Sequence, residues 1–272
     1  MNPTAVTDRQ GYAPVNGLNM YYEIDGSGDP LVYIPPAFGS IGMKSFPMLA
    51  RKRAVISVDL QGYGRTADIL DRPLTIKQHA LDVITLLKHL GVSRADFLGE
   101  SYGGAIATMI AVLNPELVRR VATYGATFGP PEESIDPGML RTSQPLTPDS
   151  RSFLVQREYY QRVAPAPDYW PTFWSKLVAM KWDGFSHHDL TSLRAPVLIA
   201  LGDHDFVRIE HAVKTFRLIP KAELAVIPDA GHYLLYSEPE KVLPIVERFL
   251  DTPDTVLPIG NAETGFHPGE TR

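Results

Sequence analysis

Cysteine is absent from the 272 residues, which excludes disulfides, thiolate metal centres and a cysteine nucleophile together. No run approaches the roughly 18 consecutive apolar residues of a membrane span. The opening ten residues carry no apolar stretch of signal-peptide length. The expected compartment is therefore the cytoplasm, and no membrane partner is expected. A strong charge of one sign is lacking too: Lys and Arg number 26 against 31 Asp and Glu, a formal net charge of −5. Nucleic acid is accordingly not an expected partner. Internal repeats and low-complexity tracts are missing. With 44% hydrophobic and 21% charged residues, what remains suits one large globular domain with room for an inserted subdomain.

Short β-rich runs alternate with stretches of helical spacing. Tyr12 to Ile24 reads as two strands around the tight-turn dipeptide Asn16-Gly17. Leu31–Ile34 and Ala54–Val58 read as buried strands, with a helical stretch around Met43 to Arg51 between them. Ile76, Ala80, Val83, Ile84, Leu87 and Leu90 recur on one helical face, with Thr75 as N-cap and Gly91 as terminator. A strand follows at Ala95–Leu98, then a helix to about Leu113 that stops at Asn114-Pro115, then a strand at Val118–Tyr124. Residues 128–193 depart from this rhythm. Proline, glycine and polar residues crowd Gly129 to Asp149, and helices are expected over Ser150–Val163 and Asp168–Lys181. Alternation resumes with strands Val197–Leu201 and Leu224–Ile227 and helices Ile209–Leu218 and Pro239–Leu250. Residues 252–272 read as a loosely packed tail. The pattern predicts the α/β class, a mostly parallel sheet with helices on both faces and ligand sites beyond the strands' carboxyl ends.

Four features follow predicted strands and so converge on one rim: Pro36-Ala37, Ser101, Asp203-His204-Asp205 and Gly231-His232. In Gly99-Glu100-Ser101-Tyr102-Gly103 the glycines leave room for a sharp strand-to-helix turn with the serine at its tip. The helix that begins after Ser101 points unpaired amides toward the hydroxyl. A serine needs a base to take its proton, and imidazole suits that near neutral pH. Of the eight histidines, His232 stands directly after the last predicted strand, whereas the other seven read as surface or capping residues. His187 and His188 diverge as neighbours and lack further ligands at metal spacing, so no metal or other cofactor is expected. Asp203 and Asp205 both stand where an orienting acid is needed, and one suffices. Glu100 reads as a side chain turned away from the site, hydrogen-bonded or solvated.

The order Ser101, Asp205, His232 resembles the α/β-hydrolase superfamily, whose members carry nucleophile, acid and base in that order. The resemblance covers about residues 12–250. It rests on Gly99-Glu100-Ser101-Tyr102-Gly103-Gly104, Asp59-Leu60-Gln61-Gly62-Tyr63-Gly64-Arg65, Gly202-Asp203-His204-Asp205, and Gly231-His232 with Glu238-Pro239-Glu240 behind it. It implies the α/β-hydrolase fold: an eight-stranded, mostly parallel sheet in a core of residues 1–127 and 194–251, with 128–193 inserted as a helical cap. It selects Asp205, three residues after Gly202, and makes the Asp59–Arg65 loop structural. Relatives carry His-Gly-x where this chain has Pro35-Pro36-Ala37. Proline donates no hydrogen bond, so the implied oxyanion donors are the amides of Ala37 and Tyr102, or of Phe38 if the turn is reset by one residue. Among the aromatics Phe38, Tyr159, Trp170, Trp174, Trp182 and Phe185, some are expected to pack as core and others to line an apolar pocket above Ser101.

The implied activity is hydrolysis of a carboxylic ester or lactone through an acyl-enzyme, as in small bacterial enol-lactonases, aryl esterases and macrolide esterases. The aromatic cap suits a bulky substrate such as a macrolactone. Serine at position 101 argues against dehalogenase and epoxide-hydrolase chemistry, which needs a carboxylate there. The same triad serves C–C bond hydrolases acting on dienoate diketones, for which Arg151, Arg157 and Arg162 are candidate carboxylate partners. It also serves perhydrolases and cofactor-free haloperoxidases. A ligand-binding protein built on the hydrolase fold is the non-enzymatic alternative.

Overall fold

Asn16 and Gly17, both at positive φ (46° and 87°), make the tight turn that folds β1 (Arg9–Val15) onto β2 (Leu18–Asp25) as an antiparallel hairpin. The structure, a computed structural model, describes residues 9–43, 46–141 and 147–252. Six further strands complete the sheet: β3 (Asp29–Ile34), β4 (Arg53–Val58), β5 (Ala95–Glu100), β6 (Val118–Tyr124), β7 (Val197–Gly202) and β8 (Ala222–Ile227). The strand order is β1-β2-β4-β3-β5-β6-β7-β8. β2 runs antiparallel to β4, and every pairing from β4 through β8 is parallel. This is the mostly parallel eight-stranded sheet that the resemblance implies.

Period-two alternation splits the strands between two cores. Val32 and Ile34 join Phe97, Val121 and Ile199 against helices Ile76–His89 and Tyr102–Leu113. Leu31 and Tyr33 join Leu98, Tyr124 and Ala200 against helix Pro239–Asp251 on the opposite face. Thr75 caps the first of these helices, its Oγ1 accepting from the Gln78 amide at 3.0 Å. Gly91, at φ 72°, ends it.

The helical stretch expected around Met43 to Arg51 divides into a 3₁₀ turn, Ile41–Met43, and a short helix, Pro47–Ala50. Proline at position 47 disfavours helical backbone in the residue before it, and Phe46 sits at φ −120°, ψ 48°. β5 runs two residues beyond Leu98, because Gly99 and Glu100 still pair with Thr123 and Tyr124. Between β6 and β7 the expected helices are shorter, Leu154–Val163 and Trp170–Val178, each entered through a 3₁₀ turn. Three further short helices occupy Pro131–Ser134, Pro137–Leu140 and His187–Thr191. The expected tail lies, beyond Thr252, outside the described residues. Among the described residues no helix is long and apolar enough to cross a membrane.

Parallel strands bring their carboxyl ends to one edge of the sheet. The loops after β3, β5, β6, β7 and β8 therefore meet there, and they carry Ala37, Ser101, Gly125, Asp205 and His232.

Candidate active site

Ser101 links β5 to helix Tyr102–Leu113 at φ 51°, ψ −116°. A non-glycine residue held there stores about 1–3 kcal/mol of strain, and the surroundings must over-determine it. Its amide donates to the Tyr124 carbonyl at 2.8 Å, and its own carbonyl accepts from Gly104 at 3.0 Å. Gly103 is required for a different reason. A Cβ at that position would lie 2.1 Å from the Ile34 carbonyl oxygen and 2.6 Å from that of Pro35. Only glycine lets the end of β3 rest on the first turn of the elbow helix, which brings the Ala37 loop beside Ser101.

The Pro35-Pro36 departure is absorbed within a tight turn. Gly39 donates to the Pro36 carbonyl at 3.0 Å, and Phe38 takes the positive-φ position at 60°, the arrangement of a type II turn. Ala37 is half-buried within it. The Tyr102 amide opens its helix and has no intrahelical acceptor. Asp59 braces this region from below, fully buried and accepting from the amides of Ile41 (3.0 Å) and Arg65 (2.9 Å). Burial pushes its carboxyl up to about 6 against those two hydrogen bonds.

His232 Nδ1 lies 2.8 Å from Asp205 Oδ1. A carboxylate only accepts, so the imidazole donates from Nδ1 and keeps Nε2 as the unprotonated nitrogen. Asp205 Oδ1 also accepts from the Val207 amide at 2.9 Å, while Oδ2 is buried without a partner. Asp203 does not face the imidazole. It accepts from the Ala230 amide at 3.1 Å and so braces the loop that carries His232. That loop is held again by the Tyr124 hydroxyl, which donates to the Gly231 carbonyl at 2.7 Å.

Two contributors were not anticipated from the sequence. The Phe206 ring lies against the imidazole with centroids 3.8 Å apart. Gly125, at φ 58°, forms the floor: a Cβ there would fall 2.9 Å from His232 Cε1 and Nδ1 and 3.0 Å from Asp205 Oδ2. The imidazole–carboxylate pair thus sits on the residue next to Tyr124, whose carbonyl receives the Ser101 amide. No hydrogen bond among the described residues joins Ser101 Oγ to the imidazole.

Glu100 corrects the expectation of a bonded or solvated side chain. It shares the Leu98 face of β5 and is completely buried, with neither carboxyl oxygen in a hydrogen bond of ordinary geometry. Burial pushes the carboxyl up to about 8, with Asp205 adding to the rise and Tyr236 opposing it. Tyr102 has a second role through its side chain. Its hydroxyl shares a 2.8 Å hydrogen bond with Nδ1 of the fully buried His79 and lies 3.2 Å from Met180 Sδ.

The aromatic residues divide by environment. Trp170 is 2% exposed, with Nε1 donating to the Pro148 carbonyl at 2.9 Å. Tyr159 accepts from Arg65 Nη1 at 3.1 Å and lies under the Arg162 guanidinium. These two, with Phe38, Tyr63, Tyr160 and Phe173, leave a crevice of about 10 Å³, no larger than one water needs. Phe38 also contacts Phe153 (4.7 Å between centroids) and stacks on Trp174 (6.3 Å). Trp174 and Trp182 bury their indole N–H groups without an acceptor, and Trp182 meets Phe185 edge-on at 5.1 Å.

The sequence profile of the alpha/beta hydrolase family matches residues 27–245. Among curated relatives, serine hydrolase BPHL of Mus musculus is 27% identical over 258 residues, covering 91% of this chain and 87% of the relative. The solved 2-hydroxy-6-oxo-6-phenylhexa-2,4-dienoate hydrolase from Rhodococcus sp. strain RHA1 superposes with a TM-score of 0.75 at 20% identity, covering 91% of this chain and all of that one. Naproxen esterase from Bacillus subtilis does so at 0.71 and 21%, covering 91% and 93%. Likeness at such identities is likeness of fold. The sheet order and the span of the profile match agree, and the chain belongs to the alpha/beta hydrolase family.

Proposed function

We propose that the protein hydrolyses a carboxylic ester or lactone, with Ser101 as nucleophile, His232 as base and then acid, and Asp205 as the orienting acid. The observation that carries this reading is the 2.8 Å contact of His232 Nδ1 with Asp205, seated on Gly125 beside the strand end that anchors Ser101. Nε2 accepts the Ser101 proton as Oγ attacks the carbonyl carbon. The amides of Ala37 and Tyr102 stabilise the resulting oxyanion, each worth about 3–4 kcal/mol in comparable chemistry. Collapse expels the alcohol with the proton held by His232, and water activated at Nε2 then releases the acid. Residues 128–193 serve as a cap in this reading. The unpartnered indole N–H groups of Trp174 and Trp182 suit the oxygen atoms of a bulky, largely apolar substrate.

Cap cations bear on the C–C hydrolase alternative, which calls for a cation at the substrate carboxylate. Arg151 is exposed, Arg157 is paired with Asp149 at 2.6 Å, and Arg162 lies 5.2 Å from the Tyr159 ring centroid. Ester chemistry is therefore preferred. A fluorophosphonate probe with peptide mass spectrometry tests the nucleophile: the adduct is expected on Ser101 and is lost in His232→Ala. Folded protein that takes no adduct on Ser101 overturns the proposal. A panel of aryl esters, small lactones, macrolactones and a dienoate diketone tests the substrate class, and turnover of the diketone alone overturns the ester assignment.

A further inference from the structure

The mechanism proposed above leaves unused a buried acid one residue from the nucleophile. Glu100 is the register partner of Tyr124 on β6, and its side chain lies in the core between the sheet and the segment that follows His232. The groups facing it are Tyr33 from β3, Tyr124 from β6, Asp205 from the loop after β7, and Tyr233 and Tyr236 from the His232 loop and the helical turn Leu234–Ser237. Burial pushes all four tyrosine hydroxyls up, so they stay neutral. Asp205, bonded to His232, contributes a charge of the same sign as a glutamate. No cation among these neighbours offsets an ionised Glu100. An isolated carboxylate in such a place is strongly disfavoured and takes up a proton instead.

We propose that Glu100 is a positioning residue that supports attack at Ser101 only as a neutral carboxylic acid, its ionisation setting a second buried anion beside Asp205 and opposing the oxyanion that forms one residue away. The proposal rests on the reading of Ser101 as nucleophile. Tyr236, the one neighbour that opposes the rise, is itself engaged with Tyr33, the two hydroxyls lying 3.1 Å apart. With the carboxyl pushed up to about 8, the neutral form prevails at neutral pH and is lost in mildly alkaline solution.

The test compares wild type with Glu100→Gln, whose amide is uncharged at every pH. The rate of Ser101 labelling by a fluorophosphonate, followed from about pH 6 to about pH 10, is expected to fall about tenfold per pH unit above about pH 8 in wild type. The variant is expected to lack that fall. Thermal unfolding supplies a readout independent of reactivity. The folded Glu100 carboxyl is raised above its ordinary 4.5 to about 8. Its contribution to stability is therefore fully present below about 4.5 and lost as pH rises toward about 8. The Tm of the variant should climb relative to wild type across that window and level off above it. An equal alkaline fall in both proteins, or a Tm difference flat with pH, overturns the proposal. Should the variant not fold, difference infrared on wild type decides: a buried neutral-carboxyl band at neutral pH that vanishes on alkaline titration supports it, and the lack of such a band overturns it. Wild type that takes no Ser101 adduct at any pH overturns the nucleophile reading and this one together. An adduct with matching pH dependence in both proteins overturns this one alone.

Discussion

A buried carboxylate is stable where its oxygens are occupied, and Asp205 meets that condition on one side only. Oδ1 is shared by His232 and the Val207 amide, whereas Oδ2 has no partner. The first oxygen determines which imidazole nitrogen is free, so replacing it by an amide changes the tautomer more than the shape. Asp205→Asn is expected to lower kcat about 10³- to 10⁴-fold with the fold retained, measured by aryl-ester hydrolysis beside circular dichroism. A loss under about tenfold would remove Asp205 from the orienting role. Ser101 and His232 were legible as candidates because their signals are local: a serine between glycines at a strand-to-helix junction, and a histidine just past the last strand. Phe206 and Gly125 were not. Nothing in Asp205-Phe206 says that the ring will turn onto an imidazole 26 positions later, and Gly125 reads as any glycine ending a strand.

At the scale of elements, the elbow helix is tied to its neighbours through a buried hydrogen bond. The Tyr102 hydroxyl reaches His79 on helix Ile76–His89 and touches Met180 beyond helix Trp170–Val178. Burial pushes the His79 imidazole down to about 3, with Arg72 adding to the effect. A depressed folded value means that this contribution is present above the ordinary 6.5 and is lost as pH falls toward about 3. Between about pH 7 and about pH 5, wild type should lose about 2 kcal/mol more stability than His79→Gln, which cannot titrate. Urea denaturation of both proteins at the two pH values measures the difference, which cancels acids common to both. Equal losses would show that His79 carries no such linkage. The long helices were visible in the sequence because several turns repeat one apolar face. Helices such as Pro131–Ser134 and His187–Thr191 span too few turns to show a period. The latter's capping box, Ser186 with Asp189, was its one readable signal.

For the whole molecule, the sheet separates support from chemistry. The loops that carry the proposed catalytic residues gather at the carboxyl ends of the strands, while the opposite edge is pinned by a buried charge cluster. Asp96, fully buried near the start of β5, accepts from Arg53 on β4 at 2.8 Å and from Arg119 on β6 at 2.9 Å. Arg53 also reaches Asp251 at the end of helix Pro239–Asp251. Asp96→Ala would leave Arg53 without its buried partner and is expected to destabilise the protein by about 3–5 kcal/mol. Because the cluster is at the far edge, the folded variant should keep the wild-type KM for an ester substrate. Denaturant midpoints and steady-state kinetics check the two halves, and a destabilisation below about 1 kcal/mol would show the cluster to be dispensable.

The alternation of strands and helices, the order of the candidate site residues and the place of the proposed cap were set by local chemistry: β-branched runs, helical apolar periods, and glycine or proline at the junctions. Each is a property of a few adjacent residues and can be read in order along the chain. Other features depend on groups far apart in the chain. The Asp205–His232 contact joins residues 27 apart, and the Tyr124–Gly231 bond joins residues 107 apart. Glu100 illustrates the limit most directly. Its neighbours Gly99 and Ser101 announced the elbow, yet only the packing of Tyr33, Tyr124 and Tyr236 around it decided that this carboxyl would be buried with no cation among the groups facing it. Desolvation belongs to an environment, and that environment exists once the chain has folded.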